Sequence, residues 1–177
     1  MKFKKFSFKK VKNTNDTALK IIKKTSLNHG MIISENQKKG KGQYGRIWKS
    51  YKGNLFVSFF CNIERVDISM KDFTKINCRI AKKTISNFCK KKITFKLPND
   101  LLVNGKKICG ILQERINRDN QKFLVVGIGI NIDKSPVILN YPTTNLNEVT
   151  GKKVSYKSLV KLLKLNFEKR YFKFLKR

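Results

Sequence analysis

Between residues 40 and 48 the chain reads Gly40-Lys41-Gly42-Gln43-Tyr44-Gly45-Arg46-Ile47-Trp48: closely spaced glycines threaded with cations and closed by the only tryptophan. Glycine admits φ > 0 and close backbone approach, so successive amide N–H groups can converge on an anion. Lys41 and Arg46 add charge, and Trp48 offers an aromatic face. The spacing matches neither the G-x-x-x-x-G-K-[ST] phosphate loop nor G-x-G-x-x-G. By itself the run is either an anion cradle or a flexible, solvated basic loop.

Other stretches carry chemistry-bearing residues where a purely structural chain has little use for them. Lys96-Leu97-Pro98-Asn99-Asp100 sets polar residues beside a proline between two apolar segments, as either a tight turn or part of a site. Lys107 stands close to Gly110 in a strand that otherwise reads as core. On an inner sheet face a cation needs an anionic partner or costs several kcal/mol; on the alternate side it faces solvent. Gly127 and Gly129 interrupt a β run ending at Asn131, where glycine marks close approach of a ligand. Asn13-Thr14-Asn15 follows the first strand, where a helix cap is the ordinary use.

The elements that must position these residues follow from periodicity. Met1 to Phe8 alternates and predicts a first strand. Asn13 to Asp16 caps a short helix carrying Ala18, Leu19, Ile21 and Ile22 and ending near Asn28-His29-Gly30. Short strands are predicted at 31–35, and at 55–60 as a continuous apolar, buried run. Phe73, Ile76, Ile80, Thr84, Ile85 and Phe88 recur at helical spacing over 71–90. Strands at 94–97, 101–103, 106–112 and 122–132 follow, with Asn104-Gly105 the strongest hairpin signal and a second turn at 117–120. A last helix from about Ser155 presents Leu159, Leu162, Leu163, Phe167, Tyr171 and Phe174. The order β-α-β-β-α-β-β-β-β-α implies an α+β fold with a mixed, largely antiparallel sheet and helices packed on it.

A length of 177 residues suits one domain. No apolar run approaches the ~18–20 residues of a membrane span, and the N-terminus lacks the apolar stretch of a signal peptide. Cys61, Cys78, Cys89 and Cys109 show no C-x-x-C pair, which favours reduced thiols in the cytoplasm over a disulfide framework or a zinc site. The net charge of +30 suggests an anionic partner. Only seven of the 41 basic residues are arginine, however, whereas nucleic-acid sites lean on arginine's fork. A bias toward Lys, Asn, Ile and Phe accounts for the scatter at least as well, so no specific DNA binding is expected.

Taken in order, Asn13-Thr14-Asn15, Glu35-x-Gln37-x-x-Gly40-Lys41-Gly42-x-x-Gly45-Arg46-x-Trp48, Lys96-x-Pro98-Asn99-Asp100, Lys107-x-x-Gly110-Ile111 and Gly127-x-Gly129-x-Asn131 resemble the catalytic domain of biotin–protein ligases. The resemblance spans roughly residues 3 to 175. It implies the sheet shared with class II aminoacyl-tRNA synthetases and lipoate ligases. It also implies ATP-dependent attachment of biotin, through biotinyl-5'-AMP and with Mg2+, to a lysine of a biotin carboxyl carrier protein, an acetyl-CoA carboxylase subunit. Asn13, Thr14, Asn15, Gln37, Gly40, Lys41, Gly42, Gln43, Lys107 and Gly110 would then hold biotin. Lys41, Gln43, Arg46, Trp48, Asn99, Lys107 and Asn131 would hold ATP or the adenylate. Lys107, Lys41, Arg46 and Asp100 would be catalytic, with Asp100 orienting or deprotonating the target lysine; no metal ligand is assigned.

The pattern departs from the family at three positions. Arginine is common where Lys41 and Gln43 stand, and serine where Asn13 stands. Gln43 is therefore expected to retain the adenylate less tightly. Residues 1–177 are read as a single catalytic domain, without the helix-turn-helix module or the C-terminal SH3-like domain that relatives carry. A homodimer through an edge strand is compatible with the sequence, and a basic surface would speed encounter with an acidic carrier. His29 is given no role.

Overall fold

The strand and helix signals resolve, in the computed structural model describing residues 2–175, into one seven-stranded sheet with helices on both faces. Met1 of the expected first strand and Arg177 of the expected domain lie outside the described residues. In chain order the elements are β1 (Lys4–Phe8), α1 (Thr14–Lys24), β2 (His29–Ser34), β3 (Gly40–Lys41), β4 (Ile47–Trp48), β5 (Leu55–Asn62), α2 (Met70–Ser86), β6 (Ile93–Lys96), β7 (Asp100–Val103), β8 (Lys106–Arg118), β9 (Gln121–Ile130), α3 (Leu146–Thr150) and α4 (Tyr156–Leu175). The sheet order is β1-β2-β5-β9-β8-β7-β6, antiparallel except where β1 lies parallel to β2. All seven anticipated strands are in it. The short β3–β4 hairpin and the five-residue α3 are additions that periodicity could not reveal, because neither spans enough residues to show a period.

Side-chain alternation gives the sheet two unlike faces. One lies under α2 and α4, with Met31, Val57, Phe59, Val126 and Ile128 packed against Leu163, Phe167 and Tyr171. Phe59 and Phe167 stack with centroids 4.1 Å apart, so α4 is anchored at the middle of the sheet. On the other face, α1 packs Ala18 and Ile22 onto Ile32, Phe60, Phe123 and Val125. Continuing along that face, β9 turns from Phe123 and Val125 to Gly127 and Gly129. The apolar cover ends there, and the candidate site begins.

Several boundaries differ from expectation. α1 stops at Lys24 because His29 and Gly30 already pair with β5, opposite Cys61 and Phe60; His29 thus opens a strand and meets Phe3 edge-on. β8 runs on to Arg118, since its long pairing with β9 closes only at the turn where Asp119 and Asn120 adopt φ of 46° and 60°. α2 ends at Ser86, short of Lys90. Asn104-Gly105 forms the expected two-residue turn, with φ of 50° and 75°.

Asn54, only 1% exposed, ties the start of β5 to the segment leaving β9. Its Oδ1 accepts from the N–H groups of Ile132, Asp133 and Lys134 at 3.0–3.1 Å, and its Nδ2 donates to Lys134 O at 2.7 Å. Removing an amide that satisfies this many buried groups costs more than an average hydrogen bond. Asn54→Ala is expected to lower unfolding free energy by about 3 kcal/mol in urea titration; a loss under about 1 kcal/mol would mean that water replaces the amide.

Candidate active site

The register across the sheet builds the floor of the site. Asp100 on β7, Gly110 on β8, Gly129 on β9 and Phe56 on β5 stand in one row, and Leu112, Gly127 and Ser58 form the next. Over this floor lies a cavity of about 710 Å³, within the range that encloses a small-molecule ligand. It gathers every anticipated site residue except Gly40: Asn13, Thr14 and Asn15, Gln37, Lys41 to Gln43, Arg46, Trp48, Asn99, Asp100, Lys107, Gly110 and Asn131. Gly40 instead lines an adjoining depression of about 620 Å³ and lies too close to the Trp48 carbonyl to accept a Cβ.

The glycines of the floor admit side chains rather than backbone. A Cβ on Gly127 would overlap the Asn15 amide, and one on Gly129 the Trp48 indole; at Gly110 it would lie 2.7 Å from the same indole. Close approach does occur at Gly127 and Gly129, but it is made by the protein's own Asn15 and Trp48, where a ligand was expected. Trp48 Nε1 is buried without a hydrogen-bond partner.

At the α1 end neutral side chains interlock, with the carboxylates of Asp16 and Glu114 at their edge. Asn13 caps the helix, its Oδ1 accepting from Asp16 N–H at 2.7 Å and its Nδ2 donating to Asp16 Oδ2 at 2.9 Å. Gln37 Oε1 accepts from Thr14 N–H at 2.9 Å, and Gln37 Nε2 donates to Ser50 Oγ at 3.1 Å. Ser58 Oγ is hydrogen bonded to Thr14 Oγ1 at 2.7 Å and to Asn15 Oδ1 at 2.5 Å, while Asn15 Nδ2 donates to Glu114 at 2.6 Å. Asn15 thus has both ends of its amide engaged within the protein.

The glycine run is a hairpin at the cavity mouth. Gly42 N–H donates to Arg46 O at 2.7 Å, and the turn places Tyr44 at φ 54° and Gly45 at φ 73°, with Tyr44 and Ile47 exposed. Lys41 Nζ reaches Asp16 at 2.5 Å and Glu114 at 3.8 Å. Burial would raise the Asp16 carboxyl, but hydrogen bonds from Lys41 and Asn13 outweigh it and hold it below its ordinary value; the bond to Asp16 raises Lys41 in turn. Arg46 is exposed.

Lys107 occupies the centre. Its Nζ lies 2.8 Å from Asp100 Oδ1, and Tyr141 donates its phenol hydrogen to Asp100 Oδ2 at 2.6 Å. The ammonium also sits 5.3 Å from the Trp48 ring centroid and 5.5 Å from that of Tyr141. Burial, reinforced by the hydrogen bond to Asp100 and its charge, raises the Tyr141 phenol well above its ordinary value, against the opposing charge of Arg46. Asn99 Nδ2 donates to Ile111 O at 2.6 Å. Asn131, 1% exposed, donates from Nδ2 to Thr144 O at 3.1 Å and leaves Oδ1 unpaired.

Sequence reasoning missed Ser58, Glu114 and Tyr141. Ser58 did carry a signal, as the lone hydroxyl in the apolar run from Leu55 to Phe60. Glu114 lies beyond the point where β8 was expected to end. Tyr141, in a loop, had none.

Residues 7–131 match the biotin/lipoate A/B protein ligase family. The chain is 29% identical over 170 residues to the bifunctional ligase/repressor BirA of Bacillus spizizenii, covering 91% of this chain and 51% of that protein. It is 37% identical over 126 residues to biotin–protein ligase 2 of Arabidopsis thaliana, covering 67% and 36%. The chain thus spans about half the length, or less, of these curated relatives. The structure of the Aquifex aeolicus biotin protein ligase in complex with biotin and ATP superposes with a TM-score of 0.81 at 25% identity, covering 97% of this chain and 71% of that one.

Two measurements check this geometry. In Gly129→Ala the new methyl displaces the indole, so fluorescence from the single tryptophan shifts while far-UV circular dichroism stays unchanged; an unaltered spectrum would place Trp48 elsewhere. For Tyr141 the neutral phenol is favoured by the fold. Its stabilisation is therefore complete below about pH 10, the ordinary phenol value, and disappears as pH rises through the raised one. A difference titration at the phenolate absorbance between wild type and Tyr141→Phe should show no ionisation of Tyr141 until well above that pH.

Proposed function

The chain belongs to the biotin/lipoate A/B protein ligase family, and from that premise we propose that it activates biotin with ATP and transfers it to a lysine of a carrier protein. The observation that carries this reading is the position of Lys107 along the floor. Beside Gly127 lie the neutral groups Thr14 and Gln37, suited to a ureido ring. Beside Gly110 and Gly129 lie Lys107 and Trp48. Past them lies the unpaired Oδ1 of Asn131, an acceptor for an exocyclic amine. A biotin carboxylate extending from the neutral end meets the Lys107 ammonium where a nucleotide stacked on Trp48 brings its α-phosphate.

In the first step a biotin carboxylate oxygen attacks the α-phosphorus, forming a mixed anhydride and releasing pyrophosphate. Lys107 holds both anions together and stabilises the charge that develops on the phosphoryl oxygens. Arg46 and Gln43 reach the phosphates from the hairpin, and Lys41 joins them by leaving Asp16 and Glu114. In the second step the neutral amine of the target lysine attacks the acyl carbon and AMP leaves. Asp100 has both carboxylate oxygens engaged, so we assign it first to aligning Lys107, and to the incoming amine once either partner lets go. Among the described residues no three His, Cys, Asp or Glu side chains form a metal site. In this proposal Mg2+ would be held by the triphosphate oxygens and would supply charge neutralisation there. The carrier is read as a biotin carboxyl carrier protein of acetyl-CoA carboxylase, and the described residues as the catalytic domain.

ATP–pyrophosphate exchange with biotin, with lipoate and with neither tests the reading. Exchange is expected with biotin alone, and Lys107→Ala should reduce it by about a hundredfold or more without changing the far-UV spectrum. Exchange driven by lipoate would reassign the acid. Its absence with either acid would overturn the reading.

A further inference from the structure

We propose that Tyr141 is a positioning residue for this reaction, acting through Asp100 to set where the Lys107 ammonium points; the inference rests on the ligase reading above. Tyr141 lies outside the matched residues 7–131. Its segment nonetheless grips Lys107 twice. On the backbone, Lys107 N–H donates to Pro142 O at 2.8 Å and Thr144 N–H donates to Lys107 O at 2.9 Å, forming a parallel bridge at Thr143. At the side chain, Tyr141 holds Asp100 Oδ2 at 2.6 Å while Asp100 Oδ1 lies 2.8 Å from Lys107 Nζ.

A carboxylate fixed at one oxygen presents the other in a single direction. With the phenol in place, Asp100 therefore meets the ammonium through Oδ1 alone, as an ion pair without hydrogen-bond geometry, leaving the N–H bonds free for the reacting anions. Without it the carboxylate can rotate, take the ammonium with both oxygens and draw it off the cavity. Other groups face this cluster from several elements: Lys107 and the Cys109 thiol on β8, and the Cys78 thiol on α2. Lys96 at the end of β6 stands 4.0 Å from the Tyr141 ring centroid, and Arg46 acts on the phenol from the hairpin. Burial raises both thiols, Cys78 to about 11, so neither is charged at neutral pH.

The test uses the full chain and Tyr141→Phe, which keeps the ring and its packing. Biotin-dependent exchange should lose about tenfold in kcat, with KM for biotin within about twofold because Thr14 and Gln37 are untouched. A purely structural role would instead lower the melting temperature and change KM; that result, or wild-type kinetics, overturns the inference. The 13Cε chemical shift of Lys107, assigned with Lys107→Ala, reads the placement of the ammonium without turnover. A moved resonance in Tyr141→Phe supports the inference and an unmoved one overturns it. Wild-type protein that shows no biotin-dependent exchange rejects the ligase reading instead, a separate result.

Discussion

The ion pair between Lys107 and Asp100 is the contact on which the site's arrangement turns. An ammonium in a half-buried setting of aromatic rings and sheet backbone is tolerated only with a counter-charge at hydrogen-bonding distance. Asp100 supplies it at 2.8 Å, from the neighbouring strand, in the row that contains Gly110 and Gly129. A β-bulge makes the meeting possible. Register shifts between Leu101 and Leu102, so Leu101 faces Cys109 while Leu102 faces Lys107. Strict alternation from Gly110 would send Lys107 to the opposite face; the extra residue turns it onto the site.

The rest of the site is arranged around that pair by removing bulk. Three glycines in adjacent rows lower the floor, and into the space come Asn15 and Trp48, one from the helix cap and one from the hairpin. Alternation makes this inexpensive for stability, because the same strands carry Val126, Ile128 and Ile111 into the core beneath. α1 completes the division of labour. Its apolar face seals half of the sheet, and its capped N-terminus delivers Thr14 and Asn15 at the boundary, where Ser58 orients both.

Charge is distributed unevenly in function though evenly in sequence. Most of the lysines lie on exposed positions, and the +30 net charge describes the chain without locating a site. Two of the cations at the cavity are held in place by anions, Lys107 by Asp100 and Lys41 by Asp16 and Glu114. Lys41 holds the hairpin to the α1 end, so the arm expected to meet phosphate is also the arm that anchors the loop.

Local pattern was enough for most of the architecture. Alternation and helical spacing depend on neighbours within a few residues, and they placed all seven sheet strands, the three long helices and the Asn104-Gly105 turn. The spacing of Gly40 to Trp48, Lys107 and Asn131, read with the family's motifs, was likewise sufficient to name a set of residues of which all but Gly40 line the cavity. What the chain alone could not state is which side of a strand a residue takes after a bulge, or which partner it meets across the sheet. Lys107 could be read equally as solvated or inward. The floor glycines signalled close approach without saying that Asn15 and Trp48 would make it. Tyr141 had no local mark at all, since its meaning comes from Asp100, 41 residues away in sequence and 2.6 Å away in space. Such pairings arise only when register, bulge and loop path are set together, and that is a property of the tertiary structure.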